Sequence, residues 1–288
     1  MPGNSVRPAA AARRARSAPA LIRLLRPQQW PKNLLVLAAA VFADQLFEAA
    51  ALGRAALAFV AFCMASSSAY AINDLLDLEI DRRHPVKRAR PLAAGEISKA
   101  AVVAIAAALG FAALALAASI DFAFAIAVAS YIALSHFYSI AGKHVVILDA
   151  MLIAAGFVLR AVGGALAIGV PSSHWFVLCT FFAALFLALS KRRAEILSRT
   201  DDSEPGHRSV IGQYGDATLA TFTSTAIAAT AITYSLYAID AAHRYPLLPL
   251  TVPCVLFALF RYHHLVESAG LGEMPEAAFL RDRAFRLG

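Results

Sequence analysis

The sequence predicts an all-α integral membrane protein built as a bundle of eight transmembrane helices. Three observations carry this. Of 288 residues, 60% are hydrophobic and only 16% charged, against roughly 45–50% and about 25% in soluble domains. The apolar residues gather into eight runs, each close to the roughly 20 residues that a helix needs to cross a hydrocarbon core of about 30 Å. Finally, 23 of the 26 Lys and Arg fall before the first run, after an even-numbered one or, in the case of Arg261, near the end of the eighth. One such run could be a buried helix of a large soluble protein. Eight in succession exclude that class, because helices satisfy backbone polar groups inside lipid.

The runs cover residues 33–51, 54–76, 100–118, 121–140, 145–168, 174–190, 217–239 and 246–265. The third, from Ala100 to Ala118, contains only Ala, Val, Leu, Ile, Phe and Gly. Only Arg54 and Arg244 fall in the opposite loops, and Arg160 lies inside a run. The basic residues therefore place both termini in the cytoplasm, as for a multi-pass protein of the inner (plasma) membrane. The net charge of +7 follows from this bias together with anion binding, and gives no reason to invoke nucleic acid. Residues 1–20 form a basic, Ala- and Ser-rich tail without an apolar core, read as disordered. Residues 21–288 form one transmembrane domain. Leu21–Trp30 reads as a short interfacial helix ending at a membrane-surface Trp. Cys63, Cys179 and Cys254 lie inside runs without close spacing, as small core residues.

The second run passes into Tyr70-Ala-Ile-Asn73-Asp74-Leu-Leu-Asp77-Leu-Glu-Ile-Asp81. Asp74, Asp77 and Asp81 stand at i, i+3 and i+7, so a helix projects them, with Tyr70 and Asn73, from one face. Such carboxylates are costly at the end of a membrane helix, and a helix C-terminus disfavours them further. Hard cations with oxygen ligands compensate this arrangement, and magnesium uses one or two carboxylates together with substrate phosphates. The stretch His84-Pro-Val-Lys87-Arg88-Ala-Arg90-Pro91 follows as a loop held by two prolines. Its arginine forks match phosphate oxygens. An acidic metal platform followed by a basic loop suits a diphosphate.

These residues resemble the first motif of the UbiA-type membrane prenyltransferase superfamily: Asn73-Asp74-x-x-Asp77-x-x-x-Asp81, then His-Pro-x-Lys-Arg-x-Arg-Pro-x-Ala-Ala-Gly. The chain looks most like the branch that makes polyprenyl-phosphate phosphoribose on decaprenyl-type lipids. That likeness rests on Arg26-Pro27-x-x-Trp30-x-Lys32-Asn33, on Tyr138-Ser139 through Lys143 to Asp149, on Gly156-Phe-Val-Leu-Arg160, and on Lys191-Arg192-Arg193-Ala-Glu195. It covers roughly residues 22–283. The resemblance implies nine helices around a central cavity opening to the cytoplasm. Eight runs are present, and the basic stretch Arg281–Arg286 stands where a ninth helix would follow.

The resemblance further implies a magnesium-dependent transferase. Asn73, Asp74, Asp77 and Asp81 would hold Mg2+, the three aspartates being the catalytic set. The substrate-binding set would be Lys32, Asn33, Tyr70, Lys87, Arg88, Arg90, Tyr138, Lys143, Asp149, Arg160, Lys191, Arg192 and Glu195. Aromatic members carry a second acidic repeat where this chain offers Lys143 and the single Asp149. The implied reaction is transfer of 5-phosphoribose from phosphoribosyl pyrophosphate to a polyprenyl phosphate, releasing diphosphate. The alternative is prenyl transfer from a lipid diphosphate to an aromatic or other small acceptor; a transporter or scaffold is the third reading. The bilayer is the obligatory partner, and a homo-oligomer is left open.

Among the remaining polar residues, Asp149 and Arg160 are close to three turns apart and share a helix face. Gly156 and Gly164 flank Arg160 by four residues each and permit close approach of a helix or ligand. Lys191 and Glu195 are spaced to pair. The loop from Thr200 to Gly215, with His207, Arg208 and Tyr214, is long enough for a lid and equally suited to a linker. The histidines show no metal-ligand spacing.

Overall fold

The computed structural model describes residues 19–43, 45, 47–197 and 214–269. Most of the expected tail at 1–20, most of the 200–215 loop and the basic stretch at 281–286 lie outside them. The architecture is helical, with no strand among the described residues. In chain order α1 is Ala20–Leu25, α2 Ala38–Phe42, α3 Ala49–Leu76, α4 Leu78–Arg83, α5 Lys99–Ile120, α6 Phe122–Ile140, α7 Leu148–Ile168, α8 His174–Leu197, α9 Asp216–Asp240 and α10 Val252–Ala269. Among the described residues seven helices, α3 and α5 to α10, are long and apolar enough to cross a membrane. They reproduce the expected second to eighth runs, and the chain is a multi-pass membrane protein.

The first run departs from expectation. Instead of one α-helix over 33–51, the chain forms a 3₁₀ segment, Pro27–Leu37, continued by the five-residue α2. Pro31 lies inside this segment and removes an i→i−4 bond that an α-helix would need. The 3₁₀ rise of about 2.0 Å per residue carries the segment and α2 together over about 30 Å. Trp30 also turns inward: its Nε1 donates to Ser67 Oγ at 3.1 Å. Ser67 in turn donates to the Leu25 carbonyl at 2.7 Å, fastening the end of α1 to α3.

Two larger cores divide most of the bundle, with two smaller clusters beside them. One joins Val36 to α3, α5, α6 and α7 through Ala58, Phe62, Ala65, Ala113, Phe124 and Ala167. The other joins α7 to α8, α9 and α10 through Ala150, Phe186, Leu189, Leu219, Tyr262 and Val266. The alanine content is what membrane packing favours, since small side chains let backbones approach where lipid offers no hydrophobic drive. Many other long apolar residues point outward, Phe111, Phe122 and Ile239 among them. Helix starts are capped at Ser98, which accepts from the Ala101 N–H, and at Asp121, which accepts from the Phe124 N–H.

Backbone meets backbone closely at Gly164, where a Cβ would lie 2.1 Å from the Val36 carbonyl oxygen. The slim 3₁₀ segment thus packs directly on the α7 backbone. Gly164→Ala is expected to destabilise by about 1–3 kcal/mol through overpacking, read as a lowered Tm in detergent. Gly53→Ala, where no atom lies within 4 Å, should be neutral or gain up to about 1 kcal/mol from helix propensity.

Candidate active site

The acidic residues do not share one unbroken helix, as their spacing suggested. α3 ends at Leu76, Asp77 sits at the junction with φ −91° and ψ 6°, and α4 restarts at Leu78. The break turns Asp77 to a different partner from its neighbours. Asp74 Oδ1 takes both Arg26 and Arg90, the latter at 3.0 Å. Arg90 also reaches Asp81 Oδ2 at 2.5 Å. Asp77 Oδ1 pairs with Lys143 Nζ at 2.5 Å, and its Oδ2 accepts from Asn73 Nδ2 at 3.1 Å. Asp74 and Asp81 are each 2% exposed. Three carboxylates are thus met by three cations, drawn from the N-terminal segment, the loop after α4 and the loop after α6.

Arg26 is the residue that the sequence reading quoted in a motif but did not place in the site. It stands in the left-handed region at φ 53°, which costs an L-residue roughly 1–2 kcal/mol. The Asp74 pair and the Tyr70 ring, 5.1 Å from its guanidinium, hold it there. Burial pushes its pKa down, with Asp74 opposing; a guanidinium stays charged throughout. In these rotamers no three carboxylate, histidine or thiol groups among the described residues converge on one metal position. Each carboxylate instead carries a cation. Asp74 Oδ2, Asp81 Oδ1 and Asn73 Oδ1 make no hydrogen bond among the described residues.

Arg160 forms a second group deeper in the bundle. It donates from Nε to Asn33 Oδ1 at 2.7 Å, from Nη1 to the Gly156 carbonyl at 2.8 Å and from Nη2 to Tyr131 OH at 2.8 Å. Asn33 donates to Ser66 Oγ and Cys63 Sγ. All three of these partners are neutral. Tyr131, whose ring centroid lies 4.4 Å from the guanidinium carbon, carried no signal in the sequence beyond an aromatic in an apolar run.

Asp149 and Arg192 form a third group, with Arg192 Nε 2.9 Å from Asp149 Oδ2. Glu195 takes Arg192 Nη1 at 2.9 Å, and Tyr214 OH donates to Asp149 Oδ1 at 2.7 Å. Asp149 and Arg192 are 1% and 2% exposed, so they brace α7 against α8 rather than line open space. Tyr138 lies near enough to Arg192 to interact electrostatically. Lys32, Arg88 and Lys191 are exposed, and Lys87 is half-buried in the turn Lys87–Ala89. The structure therefore gathers Asn73, Asp74, Asp77, Asp81, Arg90, Lys143 and Tyr70 into one place. It sets Asn33 and Arg160 below them, and Asp149, Arg192 and Glu195 beside them.

Neighbouring arginines on α8 separate two kinds of ion pair. Removing Arg192 as Arg192→Ala leaves a buried carboxylate, a cost of about 3–5 kcal/mol. Arg193 pairs with Glu267, a third exposed, and Arg193→Ala should cost no more than about 1 kcal/mol. Thermal unfolding of the two variants in detergent tests this ordering.

Comparison with known proteins agrees with this fold. Residues 33–281 match the model of the UbiA prenyltransferase family. A decaprenyl-phosphate phosphoribosyltransferase of Corynebacterium glutamicum is 35% identical over 283 residues, covering 93% of this chain and 82% of that one. The Mycolicibacterium smegmatis protein of the same name is 34% identical, covering 93% and 88%. Among solved structures, a UbiA homolog from Archaeoglobus fulgidus bound to GPP and Mg2+ superposes with a TM-score of 0.77. It is 22% identical and covers 93% of this chain and 95% of that one. The chain belongs to the UbiA prenyltransferase family.

Proposed function

We propose that this transferase moves 5-phosphoribose from phosphoribosyl pyrophosphate to a polyprenyl phosphate of decaprenyl type, releasing diphosphate. The observation that carries the reading is the interleaving of Asp74, Asp77 and Asp81 with Arg26, Arg90 and Lys143. One site holds both the oxygen ligands of a hard metal and the cations that phosphates require. Two relatives covering 93% of the chain bear the name of this activity, which supports the choice of sugar and lipid. The acidic end of the bundle would face the cytoplasm, where the soluble donor is found, in the plasma membrane.

The residues fit magnesium by their chemistry. Asn73, Asp74, Asp77 and Asp81 offer only oxygen, and three of those oxygens are without a hydrogen bond among the described residues. These four residues would hold it. Bound there, magnesium would offset charge developing on the leaving diphosphate. The chain's own part follows from its ion pairs. Without ligand, the six charges neutralise one another in a half-buried site. A donor arriving with its metal brings a matching set of charges, so Arg26, Arg90 and Lys143 can leave the carboxylates for phosphate oxygens at little net electrostatic cost. The exposed Arg88 is the cation best able to meet the donor first. The lipid phosphate is already an anion and attacks the anomeric carbon without a general base. Arg160, lacking a carboxylate partner, keeps positive potential inside the bundle below the donor.

Purified protein, magnesium, labelled phosphoribosyl pyrophosphate and polyprenyl phosphate should yield labelled lipid and diphosphate. Asp77→Asn is expected to lower kcat/KM at least about 100-fold, since removing one electrostatic stabiliser typically costs 10²–10³, and chelation of magnesium should abolish turnover. Absence of labelled lipid, with turnover of a prenyl diphosphate on an aromatic acceptor, would overturn the reading.

A further inference from the structure

Tyr214 lies outside the spans, yet it is only 6% exposed, and its hydroxyl joins two groups. It donates to Asp149 and accepts the Ile147 N–H at 2.7 Å. Burial and the adjacent Asp149 push its pKa up, so the phenol stays a donor. Ile147 is the second non-glycine residue with positive φ among the described residues. Its φ of 70° and ψ of −48° approach the strained form of the γ-turn, and a β-branched residue rarely adopts it. Such a conformation persists only where its surroundings over-determine it. The Ile147 side chain is 40% exposed, so packing does not hold the turn. Backbone bonds hold it: the N–H to Tyr214, and the carbonyl accepting from the Met151 N–H at 3.0 Å.

This turn starts α7, and α7 is seated on the loop that carries Lys143. A Cβ at Gly142 would fall 2.1 Å from Leu152 Cδ1, so the second turn of α7 clamps the turn Gly142–His144. The Val145 N–H bonds the Gly142 carbonyl and the Asp149 N–H bonds the Val145 carbonyl, which links the loop to the helix without slack. Lys143, 8% exposed, then reaches Asp77 from this clamped position.

We infer that Tyr214 is a positioning residue for Lys143: its hydroxyl fixes the strained start of α7 and thereby aims the ammonium at the acidic cluster. The inference rests on reading Lys143 as a ligand of the diphosphate. Asp149 keeps Arg192 when the hydroxyl is lost, so α7 and α8 stay braced and Tyr214→Phe should fold.

The test is a double-mutant cycle in detergent on full-length protein, using magnesium and inorganic diphosphate as the probe, with donor KM where turnover is seen. Tyr214→Phe alone should weaken diphosphate binding and raise donor KM about tenfold while kcat changes less than threefold. In a Lys143→Met background the same change should add less than twofold. Hydrogen exchange at the Ile147 amide should accelerate in Tyr214→Phe and stay slow in Lys143→Met. Equal effects in both backgrounds, unchanged diphosphate binding, or unchanged exchange at Ile147 would each overturn the inference. Coupling seen with diphosphate, but no phosphoribosyl transfer by the unmodified protein, would fail the functional reading and leave the role of Tyr214 standing.

Discussion

Charge buried inside a membrane protein has to be matched locally, because neither lipid nor a packed helix interior solvates an ion. Around Asp74, Asp77 and Asp81 that requirement sets the positions of three separate chain segments. The N-terminal segment delivers Arg26, the loop beyond α4 delivers Arg90, and the loop beyond α6 delivers Lys143. Each segment is short and irregular, and each is fixed at its far end by something else. Ser67 and Trp30 pin the first to α3. Arg23, bonded to the Ala89 carbonyl and to Glu96, pins the second. Gly142 beneath Leu152 pins the third. The site is where three independently anchored pieces of backbone meet on one set of carboxylates.

The same rule has a different solution at Arg160. Its guanidinium is nearly buried yet meets amide, carbonyl and phenol oxygens rather than a carboxylate, so its charge is dispersed without being cancelled. The Asp149–Arg192 pair is the opposite case, a closed and mutually neutralised contact that spends its charges on holding two helices together. One bundle thus contains a mixed set of charges of both signs, an uncancelled charge and a closed structural pair. Of the three, the first combines both signs with partial exposure and with oxygens that make no hydrogen bond among the described residues.

Strain concentrates at the same end of the molecule. Among the described residues two non-glycine positions have positive φ: Arg26, which itself pairs with Asp74, and Ile147, which adjoins the loop of Lys143. Helices alone place side chains on a coarse grid of 1.5 Å and 100° per residue. Bringing cations from loops onto carboxylates at 2.5–3.0 Å needs backbone that leaves that grid, and the strained residues supply the departures.

Seven of the eight expected spans were legible from the sequence because hydropathy and length alone decide whether a segment can cross lipid. The acidic cluster was legible for the same kind of reason: carboxylates beside an apolar run announce a cost that something must offset. Partner choice was not legible. Spacing put Asp74, Asp77 and Asp81 on one helix face, whereas the break at Asp77 sends it to Lys143, 66 residues away. The first run was misread because a hydropathy count cannot see that Pro31 and the close contact between Val36 and Gly164 favour a 3₁₀ segment over an α-helix. By itself, then, the sequence determined the membrane fold, the spans and the chemical character of the site, since these depend on composition and local periodicity. Tertiary structure alone decided which cation meets which carboxylate, and that Tyr131 and Tyr214 belong beside the charged groups, because such pairings depend on distances between segments that are remote in the chain.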